Sequence, residues 1–184
     1  MFSKIFLIVF YLLIALNGFA QEIKHSFGFT LSDISYPKSE FQKYRLRSTQ
    51  FHASYNPCFI LKEFKKSSLS IGLPFSIGFS VLTNKNRERS AGAPIGITTH
   101  LPLVLDYNLG RNSFGGNADE NGAYIGVGFD YFTFLFPRGS EDLDNYGPVL
   151  RGGYHFKQAT LGLFFKKSLE TSDEFTVGLT IVRN

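Results

Sequence analysis

Between Leu69 and Val81 the chain alternates without interruption. Leu69, Ile71, Leu73, Phe75, Ile77, Phe79 and Val81 take every second position, and Ser70, Gly72, Pro74, Ser76, Gly78 and Ser80 fill the places between. A period of two puts the first set on one side of an extended chain and the second on the other, so the run predicts a strand with one apolar face. At about 3.3 Å per residue and a tilt near 45°, it would rise roughly 28–30 Å, enough to cross the hydrocarbon layer of an outer membrane.

The same alternation recurs along the chain. Phe27, Phe29 and Leu31 share a face, as do Phe51, Ala53 and Tyr55. Leu101, Leu103, Leu105, Tyr107 and Leu109 lie opposite Asp106 and Asn108, and Ile125, Val127, Phe129, Tyr131 and Leu135 lie opposite Gly126, Gly128 and Asp130. Leu150, Tyr154 and Phe156 oppose Arg151, Gly153 and His155; Leu161, Leu163 and Phe165 follow, and Phe175, Val177, Leu179 and Ile181 close the chain. These runs predict eight strands at approximately 23–34, 45–61, 68–82, 97–109, 122–136, 146–157, 159–169 and 174–183. Segments 35–44, 83–96 and 137–145 read as long polar loops on one side, and 62–67 and 158 as short turns on the other. The long inner segment 111–121 and the short outer segment 170–173 depart from that pattern. Pro57, Pro74 and Pro102 fall inside strands, where a residue without an N–H predicts bulges or local breaks.

Which face meets solvent follows from the second set. It is mostly Gly, Ser and Thr, a poor choice for a strand face in water, and it suits the narrow interior of an eight-strand barrel. The other face carries more Phe, Leu, Ile and Tyr than such an interior could hold. The expected fold is therefore all-β, an eight-stranded antiparallel up-and-down transmembrane β-barrel with its apolar faces toward lipid.

Composition narrows the field. The chain has 184 residues, 43% hydrophobic and 18% charged, with 21 Phe, 9 Tyr, 18 Gly and no Trp. Disorder is excluded by the aromatic content. A helical membrane bundle is excluded because only the N-terminus offers a long apolar run. Residues 1–20 read as a secretory signal peptide, with Lys4 before the apolar stretch Ile5–Leu16 and small residues Gly18 and Ala20 before the expected cleavage. Residues 21–184 then form the barrel. Cys58 is the single cysteine, so no intrachain disulfide forms.

With its signal peptide, its eight alternating segments and its closing strand Phe175–Val182, the mature chain resembles the small outer-membrane β-barrel family of the OmpA-transmembrane and OmpX kind. The resemblance is one of pattern and spans the whole mature chain. Members of that family commonly end in an aromatic residue, whereas this sequence ends Ile181, Val182, Arg183, Asn184.

Candidate chemistry is sparse. The inward positions His52, Asp106, Asp130, Arg151 and His155 form a predicted interior polar cluster, with Asp130 and Arg151 expected to pair across neighbouring strands because buried charges need partners. His52 and Ser54 share a face but stand two residues apart, roughly 6.5–7 Å, too far for a direct hydrogen bond. His25 and His100 fall near strand ends with no evident Ser and acid partner. Four His and one Cys show no metal-ligand spacing, and no cofactor is implied. Net charge is +4 with pI near 9.1. Lys85, Arg87 and Arg89 in one outer loop, with Lys166 and Lys167 at the rim, are the candidate contacts to lipid head groups. That charge density and the compartment argue against nucleic-acid binding. The expected function is an outer-membrane structural or surface-interaction role without an open pore or catalysis, its partners being membrane lipids and whatever the outer loops contact. The alternatives are an outer-membrane lipid-modifying enzyme and a soluble periplasmic barrel carrying a hydrophobic ligand.

Overall fold

The computed structural model describes Gly18, Ala20 and residues 22–35, 46–84, 95–110, 121–136, 145–156, 159–170 and 174–183. The expected signal peptide lies outside this set apart from Gly18 and Ala20, and so do Lys85, Arg87 and Arg89.

Alternation becomes strand wherever it was long enough to be read. The elements are β1 (Glu22–Ser35), β2 (Leu46–Glu63), β3 (Ser67–Gly72), β4 (Phe75–Asn84), β5 (Ile95–Gly110), β6 (Gly122–Phe136), β7 (Asn145–His155), β8 (Ala159–Lys167) and β9 (Phe175–Arg183). All pairings are antiparallel, and consecutive strands are neighbours except β3 and β4, which each pair with β2 and β5. β1 also pairs with β9, Thr30 standing opposite Thr180, so the pairings close into a ring. Among the described residues no helix is long and apolar enough to cross a membrane.

The third predicted strand is two. β3 and β4 run in series between β2 and β5, and the chain is interrupted at Leu73 and Pro74. Proline has no N–H to donate, and Phe75 N–H turns back to Leu73 O at 2.7 Å. Pro57 and Pro102, by contrast, stay inside β2 and β5. The two irregularities in register fall elsewhere, between Ile60 and Lys62 and between Ile97 and Thr98. Pro148 sits in β7 one residue before its ladder with β8 begins at Val149.

The ring has two ends. The starts of β1, β3, β6 and β8 and the ends of β2, β5, β7 and β9 share one, here the terminal end. The ends of β1, β4, β6 and β8 and the starts of β2, β5, β7 and β9 share the other, the loop end. Gly110, at φ 74°, turns the chain out of β5 in a left-handed conformation that glycine adopts without strain, and donates to Lys66 O at 3.1 Å.

Burial follows the alternation but with the usual sense reversed. Every strand except β3 carries large apolar side chains on the outside, among them Phe27 (64% exposed), Phe79, Ile125, Leu163 (61%) and Ile181. The enclosed side is mostly small or polar: Ser32, Ser48, Gln50, His52, Ser70, Ser80, Thr98, Asp106, Asp130 and Thr176 are all buried. A few apolar groups join them, including Ile34, Ile60, Val104, Phe132 and Val149. Glycine makes room for the larger enclosed groups: a Cβ at Gly126 would fall on the Asp106 carboxylate, and one at Gly162 on the Tyr124 hydroxyl. One apolar cluster, built on Phe59 and Leu73 with Ile23, Leu61, Ile71 and Ala20, is buried beside the β3–β4 break.

Candidate functional site

The enclosed polar residues divide into two groups. Toward the loop end, β6 turns Asp130 inward and β5 does the same for His100. His100 Nδ1 bonds Asp130 Oδ2 at 2.9 Å, and its Nε2 bonds Gln50 Oε1 at 3.0 Å. Ser32 donates to the same Gln50 oxygen at 3.0 Å. Lys166 of β8 reaches Asp130 Oδ2 at 3.0 Å and Asn145 O at 3.1 Å, with its ammonium 5.7 Å from the centre of the Phe132 ring. Asn145 Nδ2 in turn donates to Glu174. His52 meets the His100 ring edge-on at 5.0 Å between centroids and bonds Thr98 Oγ1 at 2.8 Å. Burial of a carboxylate demands compensation of this kind, and Asp130 receives a cation and an imidazole on one oxygen.

Toward the terminal end the second group is smaller. Arg151 of β7 grips Asp106 of β5 in a bidentate pair, Nε donating to Oδ1 at 2.8 Å and Nη2 to Oδ2. The planar guanidinium matches the two carboxylate oxygens and lies 5.5 Å from the Tyr124 ring centre. Tyr124 also faces the His155 ring at 5.1 Å, and His155 Nδ1 bonds Thr160 Oγ1 at 2.6 Å. Asn108 donates to Ser70 at 2.9 Å and to Ser68 at 3.3 Å.

Between the two groups lies a cavity of about 330 Å³. His100 and Asp130 border it toward the loop end, and Lys24, His25, His155 and Val182 toward the terminal end. Arg151, Asp106, Asn56 and Cys58 contribute polar atoms to its wall, while Ile60, Pro74, Pro102, Val104, Val149 and Phe164 contribute carbon. Among the described residues, Asn56 Oδ1 and Asp130 Oδ1 have no hydrogen-bond partner.

All five residues of the predicted interior cluster face the enclosed side, but they do not form one constellation. The expected Asp130–Arg151 pair does not form. Register places Asp130 opposite Gly147 and Arg151 opposite Gly126, so the two charges stand at different heights. A pairing of Asp130 with Arg151 would need the β6–β7 connection centred near Glu141, and the register centres it nearer the end of β6. Lys166 is a second correction. Expected at the rim against lipid head groups, it is fully buried and bonded to Asp130. Its neighbour Lys167 is exposed. Strand parity accounts for this: Leu161, Leu163 and Phe165 face out, so Thr160, Gly162, Phe164 and Lys166 must face in. His100 is the third correction, for it has an acid partner in Asp130. Its place on the face of Asp106 and Asn108 was the available signal. Lys85, Arg87 and Arg89 lie outside the described residues.

The Asp130–His100 pair has two parts of an acid–imidazole–nucleophile set, but the second imidazole nitrogen is taken by an amide oxygen, which is no nucleophile. Among the described residues no group of three or more His, Cys, Asp or Glu converges in a way that would hold a metal ion. The chain matches no protein-family model and no curated protein sequence.

Proposed function

We propose that this chain is an integral outer-membrane protein, an eight-strand up-and-down β-barrel in which β3 and β4 make one broken strand. Its role is structural or one of surface interaction, without an open pore and without catalysis. The observation that carries this reading is the reversed distribution of side chains: an apolar belt on the outside of a closed ring and a polar, hydrogen-bonded face within. Lipid tolerates only backbone whose hydrogen bonds are met internally, and a closed ring of strands meets that demand. Stagger supports it too. Following the register round from Gly28 through Val182, Thr160, His155, Gly122 and Gly110 returns beyond Glu22 on β1, the displacement that tilted strands need on closing. A soluble carrier would need the belt turned inward.

The loop-end network fills the bore, which favours a plug over a channel. The longer segments at that end are the natural place for contact with a surface partner.

Membrane fractionation of the mature chain, paired with gel migration before and after boiling, tests the reading. Recovery in the outer membrane with a heat-dependent shift is the expected result, and recovery as a water-soluble protein without a shift overturns it. Leu163→Arg, at the middle of β8, should cost about 2–4 kcal/mol of unfolding free energy in vesicles, as a cation near the bilayer midplane does.

A further inference from the structure

Three prolines meet in adjacent strands. Leu73 N–H donates to Pro57 O at 3.0 Å, and the registers Gly72–Val104 and Ser76–His100 leave Pro74 opposite Pro102. In an antiparallel ladder, pairs that exchange both hydrogen bonds alternate with pairs that exchange none. The Leu73–Pro57 bond sets the alternation: odd residues of β3 bond toward β2 and even residues toward β5, as the Gly110–Lys66 bond at the terminal end also requires. Pro74 and Pro102 therefore share a bonding rung, and neither has an N–H. The flanking rungs are Gly72–Val104 and Ser76–His100, so about 13 Å of this seam has no ladder bond. The β2 side is weakened as well, because Pro57 has no donor for Leu73 O and Phe75 N–H takes that carbonyl instead.

The cavity lies directly behind this seam, since Pro74, Pro102, Ser76 and Val104 line it. In front, the outer face at the same height is apolar, with Phe75 and Leu103 each 40% exposed. Ala20, which packs on the neighbouring Phe59–Leu73 cluster, would leave with the expected signal peptide. Arg151 and Asp106 neutralise each other, so the cavity offers little to a free ion. Its volume is at the lower end of the range of about 300–1,000 Å³ for small-molecule sites, and most of its lining is carbon. We propose that the proline seam is a lateral port through which a single hydrocarbon chain of a lipid enters the cavity from the bilayer. This rests on the membrane reading above. The head group stays outside, where the wall meets the interface, and the chain lies against Pro74, Pro102, Val104 and Ile60.

Cys58 is the only cysteine and lines the cavity, so it reports on entry. The mature chain is refolded into phosphatidylcholine vesicles and exposed to decyl methanethiosulfonate, which partitions into the bilayer, or to the charged sulfonatoethyl reagent, which stays in water. The decyl reagent should modify Cys58 about tenfold faster or more. Pro74→Ala combined with Pro102→Ala restores both N–H donors. It should slow the decyl reaction about tenfold and leave the charged reagent unaffected. Heat-dependent gel migration verifies that the variant is folded; if the pair does not fold, Pro102→Ala alone restores one donor and is read the same way. An unchanged decyl rate in a folded variant overturns the port, as does equal or faster reaction with the charged reagent, or a folded wild-type chain inert to both. A chain that stays soluble and never shifts on heating overturns the membrane reading and the port with it, whereas a membrane-inserted chain with unchanged rates overturns the port alone.

Discussion

Lys166 and Arg151 are both cations turned into the ring from neighbouring strands, and each meets an aspartate. Lys166 has a fully buried side chain and is held by Asp130, by a backbone carbonyl and by the face of Phe132. Arg151 keeps 15% of its side chain exposed, is held by Asp106 and the face of Tyr124, and borders a cavity. The loop-end group is thus a web in which Asp130, His100 and Lys166 each have several partners, and the terminal-end charges form a bidentate pair beside open space. The Lys166 ammonium is fully buried and lies outside the cavity lining, so water has no ready route to the place it would leave. A charge beside the cavity has room for water to replace what is lost.

The largest effect should come from the web. Lys166→Met leaves Asp130 buried with only His100 to compensate it, and should cost about 3–5 kcal/mol, read by denaturant unfolding in vesicles. Lys167→Met on the exposed neighbour should stay within about 0.5 kcal/mol. Equal costs would erase the distinction between the two lysines. Arg151→Met comes next, at about 1–3 kcal/mol, because hydration through the cavity offsets part of the lost charge-assisted bonds. A double-mutant cycle sharpens this: Asp106 and Arg151 should couple by about 1–3 kcal/mol, while Asp130 and Arg151 should be additive to within about 0.5 kcal/mol. Strong coupling in the second cycle would restore the pairing that the register forbids. The glycines supply the last comparison. Gly126→Ala should cost about 1–3 kcal/mol by displacing the Asp106 carboxylate, and destabilise more than Gly152→Ala. At Gly152 a Cβ would meet its nearest atom, Tyr124 O, at 3.3 Å.

Much of this was legible in the chain because a period of two is a local signal. Seven of the eight alternating runs each form one strand, and the alternation places Lys166 inward as firmly as it places Leu163 outward, its charge notwithstanding. The break at Pro74 followed from the missing N–H. What could not be read was height. Whether Asp130 faces Arg151 or Lys166 depends on where the loop between β6 and β7 turns, and a polar stretch such as 137–145 does not mark its own apex. The alignment of Pro57, Pro74 and Pro102 was hidden for the same reason, as was the partition of the interior into a filled end and a hollow one.

The pairing of β1 with β9 also sets a timetable. Thr30 and Thr180 stand opposite each other, so the contact that closes the ring joins strands about 150 residues apart. Until the last strand arrives, β1 and β8 each present a bare edge of unmet donors and acceptors, which is hazardous in water and costly in lipid. Assembly is then all-or-none: a chain that stalls before Phe175 is not a slightly smaller ring but an open sheet with two adhesive margins. The high sequence separation of the closing contacts makes that interval long. A nascent chain of this design has reason to be shielded until β9 is in place.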